Sequence, residues 1–137
     1  MIKFMSRRGA RAVKQAFGIL SLIWLVLLVP AHADSGVRLY MAEEKGCMWC
    51  ARFNAEIAPI YPKTAEGRFA PLHRFDLWGP SPDNITFSRI LRFSPTFILV
   101  HNDIEVGRIE GYPGEDMFWG LLGMLIERAD LKLPTEN

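Results

Sequence analysis

Cysteine is scarce in this chain, with only two in 137 residues, too few for the disulfide framework of a small secreted scaffold. Histidine is almost as rare, and beyond residue 33 only His73 and His101 remain. A closed zinc site wants four ligands, so no metal is expected. Residues 1–33 contain no acid. The longest uncharged apolar stretch, Ala16 to Val29, has 14 residues, short of the ~20 that cross a bilayer as a helix. There is no internal repeat and no low-complexity segment.

What the chain does have begins with the layout of a secretory signal. Lys3, Arg7, Arg8, Arg11 and Lys14 make a basic start, the apolar stretch follows, and Pro30 leads into Ala31-His32-Ala33. Cleavage after Ala33 is expected, with an uncleaved membrane anchor as the alternative. Ser6-Arg7-Arg8 hints at a twin-arginine signal, but Gly9 and Ala10 stand where bulkier residues are usual, so ordinary secretion is favoured. Either route takes the domain out of the cytoplasm, and a periplasmic location is expected.

Asp34 to Asn137 then forms a mature part of 104 residues, enough for one domain and too few for two. Removing the five leader cations from the 16 basic residues leaves 11 against 15 acidic ones, a formal charge of about −4. With no basic cluster, nucleic acid is not an expected partner.

Both cysteines lie in Gly46-Cys47-Met48-Trp49-Cys50. A ring closed over two residues constrains the unfolded chain very little, so a structural staple explains the pair poorly. Redox chemistry explains it better.

Alternation predicts a strand over Val37–Ala42, ended by Glu43-Glu44-Lys45-Gly46. Phe53, Ile57, Ile60 and Tyr61 recur at helical spacing, which puts Cys47 at a helix N-terminus; Pro59 and Pro62 should kink and end that helix. A second strand is expected over Leu72–Trp78, and a short helix over Ile85–Leu91 after Ser81-Pro82. Thr96–Val100 reads as a buried strand, joined through Asn102-Asp103 to a strand over Ile104–Ile109 as a hairpin. Gly114–Ala129 reads as a closing helix with Glu115 and Asp116 in its first turn. Its charge-free stretch either packs on the sheet or, through Phe118 or Trp119, forms a docking surface. The order implies an α/β fold with two right-handed crossovers and a hairpin, a central four-stranded mixed sheet covered by helices.

A Cys-x-x-Cys opening a helix after a strand, with Ser94-Pro95-Thr96-Phe97 beginning another strand 45 residues after Cys50, resembles the thioredoxin superfamily across the whole mature domain. Within it, the run from Glu43 through Cys50 to the Pro-Ile-Tyr-Pro-Lys-Thr-Ala-Glu-Gly-Arg segment is similar to periplasmic thioredoxins encoded with bacterial sulfur-oxidation systems. The resemblance implies a thiol:disulfide oxidoreductase without cofactor, a cis Pro95, and backbone groups of Ser94 and Thr96 that bind an extended partner segment.

A helix N-terminus favours the thiolate, so Cys47 is the expected nucleophile and Cys50, one turn further in, the resolving residue. Three departures from the family pattern stand out. The acid that thioredoxin carries six residues before its first cysteine is Met41 here; Glu43 or Glu44 either takes over proton transfer or is an ordinary solvated charge. Met48-Trp49 replaces Gly-Pro between the cysteines, a position that helps set the potential. Trp49 also lies inside the pair, where it either shapes a docking surface or packs. The implied partners are a cysteine-bearing periplasmic protein, the carrier of a sulfur-oxidation system, and a membrane dithiol as electron donor, with the domain acting as a monomer. An oxidase or isomerase of secreted proteins would share every residue named, and a binding module without turnover is the third reading.

Overall fold

Val37–Glu43 forms the central strand β1 and is almost wholly buried, because both faces of the sheet are covered. The structure, a computed structural model, describes residues 36–134; the expected leader over 1–33 and its cleavage point lie outside the described residues. Among those residues no helix is long and apolar enough to cross a membrane.

After β1 come helix α1 (Met48–Glu56), a 3-10 turn (Tyr61–Lys63), the short helix α2 (Ala65–Phe69) and strand β2 (Leu72–Asp76). Strands β3 (Thr96–His101) and β4 (Ile104–Glu110) and helix α3 (Glu115–Arg128) complete the domain. The sheet order is β2-β1-β3-β4, with β2 parallel to β1 and both other pairings antiparallel. Asn102 and Asp103 take φ of 51° and 65°, the left-handed pair that a two-residue hairpin turn requires.

Helix α1 stops at Glu56, ahead of Pro59, whose ring disfavours helical backbone at the residue before it. Thr64 caps α2 by accepting from the Gly67 amide at 3.0 Å. Gly67 has no substitute there, since a Cβ would overlap the Tyr61 carbonyl.

One face of the sheet, with Leu39, Met41, Phe97 and Leu99, packs against Phe53 of α1, Ile57 at its C-cap, and Phe118, Leu122 and Ile126 of α3. Phe118 is fully buried, and Trp119 stacks on Tyr61 with ring centroids 5.9 Å apart. Both serve packing rather than docking.

The other face differs from the sequence expectation. Residues 85–91 form no helix, and β3 runs antiparallel to β1, so only β1 to β2 is a parallel crossover. Tyr40, Ala42, Ile98 and Val100 are covered instead by Phe75, Leu77, Ile85, Phe87 and Leu91 from β2 and the long loop after it. Pro80 and Pro82 donate no amide hydrogen, and the loop's own amides bond the hairpin: Thr86 N–H to the Asp103 carbonyl at 2.9 Å, with Glu105 N–H returning to the Thr86 carbonyl at 3.1 Å. Those bonds satisfy backbone groups that a helix would otherwise have paired internally.

The loop is fastened by a buried ion pair. Leu99 pairs with Gly107 and Val100 with Glu105, leaving Val106 as an extra residue in β4. Such a bulge resets the alternation of side chains, so Glu105 and Arg108 share a face. They meet at 2.6 Å with side chains only 3% and 4% exposed. Arg108 Nη2 donates to the Arg89 carbonyl at 3.0 Å, and the Ser88 amide donates to Glu105 at 2.8 Å. Burial alone would raise the Glu105 pKa, but the hydrogen bonds from Arg108 and Ser88 outweigh it and hold the carboxyl below its ordinary value.

Candidate active site

Gly46, at φ of 81°, turns the chain from the end of β1 into α1 in a conformation that glycine adopts readily. Cys47 is the N-cap of α1, and its Sγ accepts the Cys50 amide at 3.0 Å. The sulfur thus fills the position a serine oxygen takes in an ordinary cap. Cys47 and Cys50 are joined as a disulfide, their Cα atoms 5.2 Å apart. The two sulfurs are not equivalent: Cys47 is partly exposed at the helix end, while Cys50 is only 3% exposed and belongs to the core.

Met48 and Trp49 project outward, 72% and 46% exposed, so Trp49 does not pack into the core. The loop before β3 abuts the pair from the other side. Ser94–Pro95 is a cis peptide and Pro95 is buried. Ser94 Oγ lies 3.3 Å from Cys50 Sγ and accepts the Glu44 amide at 3.0 Å. Thr96 is fully buried; its hydroxyl donates to the Phe93 carbonyl at 2.6 Å, and the Gly111 amide bonds the Pro95 carbonyl at 2.7 Å. These bonds tie the loop to β3 and β4.

The two acids before the pair are turned toward β2. Glu43 pairs with Arg74 at 3.0 Å, and Arg74 also reaches Asn54 Oδ1. The Glu44 carboxylate accepts from Trp78 Nε1 at 2.8 Å. Met41, at the position of the family's acid, is fully buried in the cluster that contains Cys50. The Ser94 side chain is the contact that sequence reasoning missed, since it assigned Ser94 only a backbone role. A hydroxyl beside the proline is its only signal in the sequence.

A partly exposed sulfur capping a helix, a buried partner sulfur and a proline loop beside them, on a β1-α1-β2 unit followed by a hairpin and helix, define a thiol:disulfide oxidoreductase, and the chain belongs to the thioredoxin superfamily. No family model and no curated protein matches it. Among solved structures, it is similar to the periplasmic thioredoxin SoxS from Paracoccus pantotrophus in its reduced form, with 52% sequence identity and a TM-score of 0.67. The match covers 68% of this chain and 98% of that one.

Proposed function

We propose that the domain is a periplasmic reductant that acts on a cysteine of a specific partner protein, the carrier of a sulfur-oxidation system, and is recharged by a membrane dithiol. The asymmetry of the pair, with Cys47 at the helix end and Cys50 in the core, carries the dithiol exchange in this reading, while the reductive direction and the partner rest on the likeness to a periplasmic thioredoxin. The likeness to a periplasmic thioredoxin named SoxS supports the compartment and the system. Residues 1–33 act as the export signal and are removed, and the mature domain works as a monomer without cofactor.

In the reductive direction both cysteines start as thiols. The N-terminal end of α1 favours the Cys47 thiolate, which attacks one sulfur of the partner's disulfide. A mixed disulfide forms, and the partner's other sulfur leaves as a thiolate and is protonated. Cys50 then loses its proton, attacks Cys47, and releases the partner's remaining sulfur. Two electrons have passed to the partner and the Cys47–Cys50 disulfide has closed.

Met48, Trp49, Ser94 and Pro95 form the surface that receives the partner segment, and Thr96 holds the loop from beneath. The Glu43 and Glu44 carboxylates were candidates for proton transfer. Their engagement with Arg74 and Trp78 leads us to assign the Cys50 proton to solvent instead.

A Cys50→Ser variant expressed in the native compartment tests this proposal. It should accumulate a mixed disulfide through Cys47 to one predominant protein, dissolved by dithiothreitol. A variant that traps nothing there would count against dithiol exchange with a protein partner.

A further inference from the structure

We propose that the Ser94 hydroxyl is a catalytic hydrogen-bond donor to Cys50, stabilising the resolving sulfur as a thiolate in a core cluster that contains no carboxylate and no imidazole. The inference rests on the reading that Cys47 attacks and Cys50 resolves.

The direction of the bond follows from chemistry. Cys50 Sγ carries no hydrogen in the disulfide, so across the 3.3 Å separation the Ser94 hydroxyl must be the donor. Ser94 Oγ already accepts from the Glu44 amide at 3.0 Å. That contact occupies a lone pair and leaves the hydroxyl hydrogen for the sulfur. Amide, hydroxyl and sulfur form a short chain in which each bond polarises the next.

The need for such a donor comes from burial. Cys50 is 3% exposed and shares its cluster with Met41, Phe53 and Phe97. A thiolate there loses most of its contact with water, which disfavours the charged form; a donor aimed at the charged form restores it, because charge-assisted bonds are the stronger ones. Charged and titratable groups on the neighbouring elements are engaged elsewhere: Glu43 with Arg74, Glu44 with Trp78, Arg52 with Glu56, Glu110 with Arg89, and the hydroxyls of Tyr61 and Tyr112, which share the Cys50 cluster, with the Ala70 carbonyl and Glu56. Lys45, Glu115 and Asp116 are exposed. The residue at the family's acid position, Met41, can neither donate nor take up a proton.

Ser94 acts in the second half of the cycle. The Cys50 thiol gives its proton to water, and its thiolate accepts the Ser94 hydrogen bond. It then attacks Cys47 Sγ: the Cys47–Cys50 bond forms, the Cys47–partner bond breaks, and the partner's sulfur departs with the electron pair and takes a proton from water. Ser94 keeps its own proton throughout.

Stopped-flow reaction of the reduced domain with a chromogenic aryl disulfide separates the two steps, since Cys47 attack releases one aryl thiolate and Cys50 resolution a second. Ser94→Ala should slow the second phase about tenfold at neutral pH, the equivalent of one charge-assisted hydrogen bond, and move the midpoint of its pH-rate profile to higher pH. Ser94→Thr, which keeps the hydroxyl, should restore both the rate and the midpoint. Loss of the Glu44 amide contact alone would slow the step without moving the midpoint, so a slowed Ser94→Ala with an unmoved midpoint would overturn the proposal. An unchanged second phase in Ser94→Ala, or a folded Ser94→Thr as slow as Ser94→Ala, would overturn the proposal. A first phase that survives Cys47→Ser would instead overturn the order of the two cysteines, so the two failures are distinguishable.

Discussion

Cys47→Ser should reduce disulfide exchange by on the order of a thousandfold or more, measured as turnover of a dithiol-coupled disulfide substrate, because a hydroxyl at this position is protonated and a far weaker nucleophile than a thiolate. The fold should survive, since serine is a natural N-cap and can accept the Cys50 amide as Cys47 Sγ does at 3.0 Å. Cys50→Ser should differ in kind, keeping the first attack and failing at release. If Cys47→Ser kept wild-type exchange while Cys50→Ser lost the initial attack, the assignment from the helix end would be reversed.

Glu105→Ala should lower the free energy of unfolding by about 3–5 kcal/mol, the cost of leaving a buried charge without its partner. Both side chains of the pair are nearly inaccessible, and what remains for Arg108 is a looser ion pair, Nη1 to the Glu110 carboxylate at 3.7 Å without a hydrogen bond. Denaturant titration checks this, and a loss below about 1 kcal/mol would place the pair among ordinary surface ion pairs. Because the folded Glu105 carboxyl lies below its ordinary value, its stabilising contribution is present above the unfolded pKa and is lost as pH falls through the folded one. The acid limb of the stability profile should therefore be shallower in Glu105→Gln than in the wild type.

The parts of the fold legible in the sequence were those set by local signals. Val37 to Ala42 alternates, Asn102-Asp103 marks a two-residue turn, and the apolar spacing after Cys50 places the pair at a helix end. The strand and the turn appear close to their expected bounds, while the helix starts where expected but stops at Glu56, short of the Ile57, Ile60 and Tyr61 positions expected to continue it to Pro62. Residues 85–91 were misread because their apolar spacing suits a short helix as well as a loop, and the deciding bonds go to Asp103 and Glu105 in a distant hairpin. The Glu105–Arg108 pair was equally hidden. In a regular strand residues three apart point to opposite faces, and only the bulge at Val106 brings these two together. At the site, spacing identified the cysteines and Pro95, but the contact between Ser94 and Cys50 spans 44 positions and depends on how β3 lies beside β1. Likewise, the partners that engage Glu43 and Glu44 come from β2 and the turn after it, which no local pattern could supply.

Electrons are expected to flow from the Cys47–Cys50 dithiol to the partner, and the reduction potential of that couple decides whether they do. Equilibration of the protein against a glutathione or dithiothreitol redox buffer, read by alkylation of free thiols, should give a value closer to the roughly −270 mV of thioredoxin than to that of an oxidant. Against such a couple a disulfide with a more oxidising potential is reduced, and each ~30 mV of difference corresponds to about 1.4 kcal/mol of driving force. A value near the roughly −120 mV of a strong periplasmic oxidant would contradict the account and make the domain a donor of disulfides.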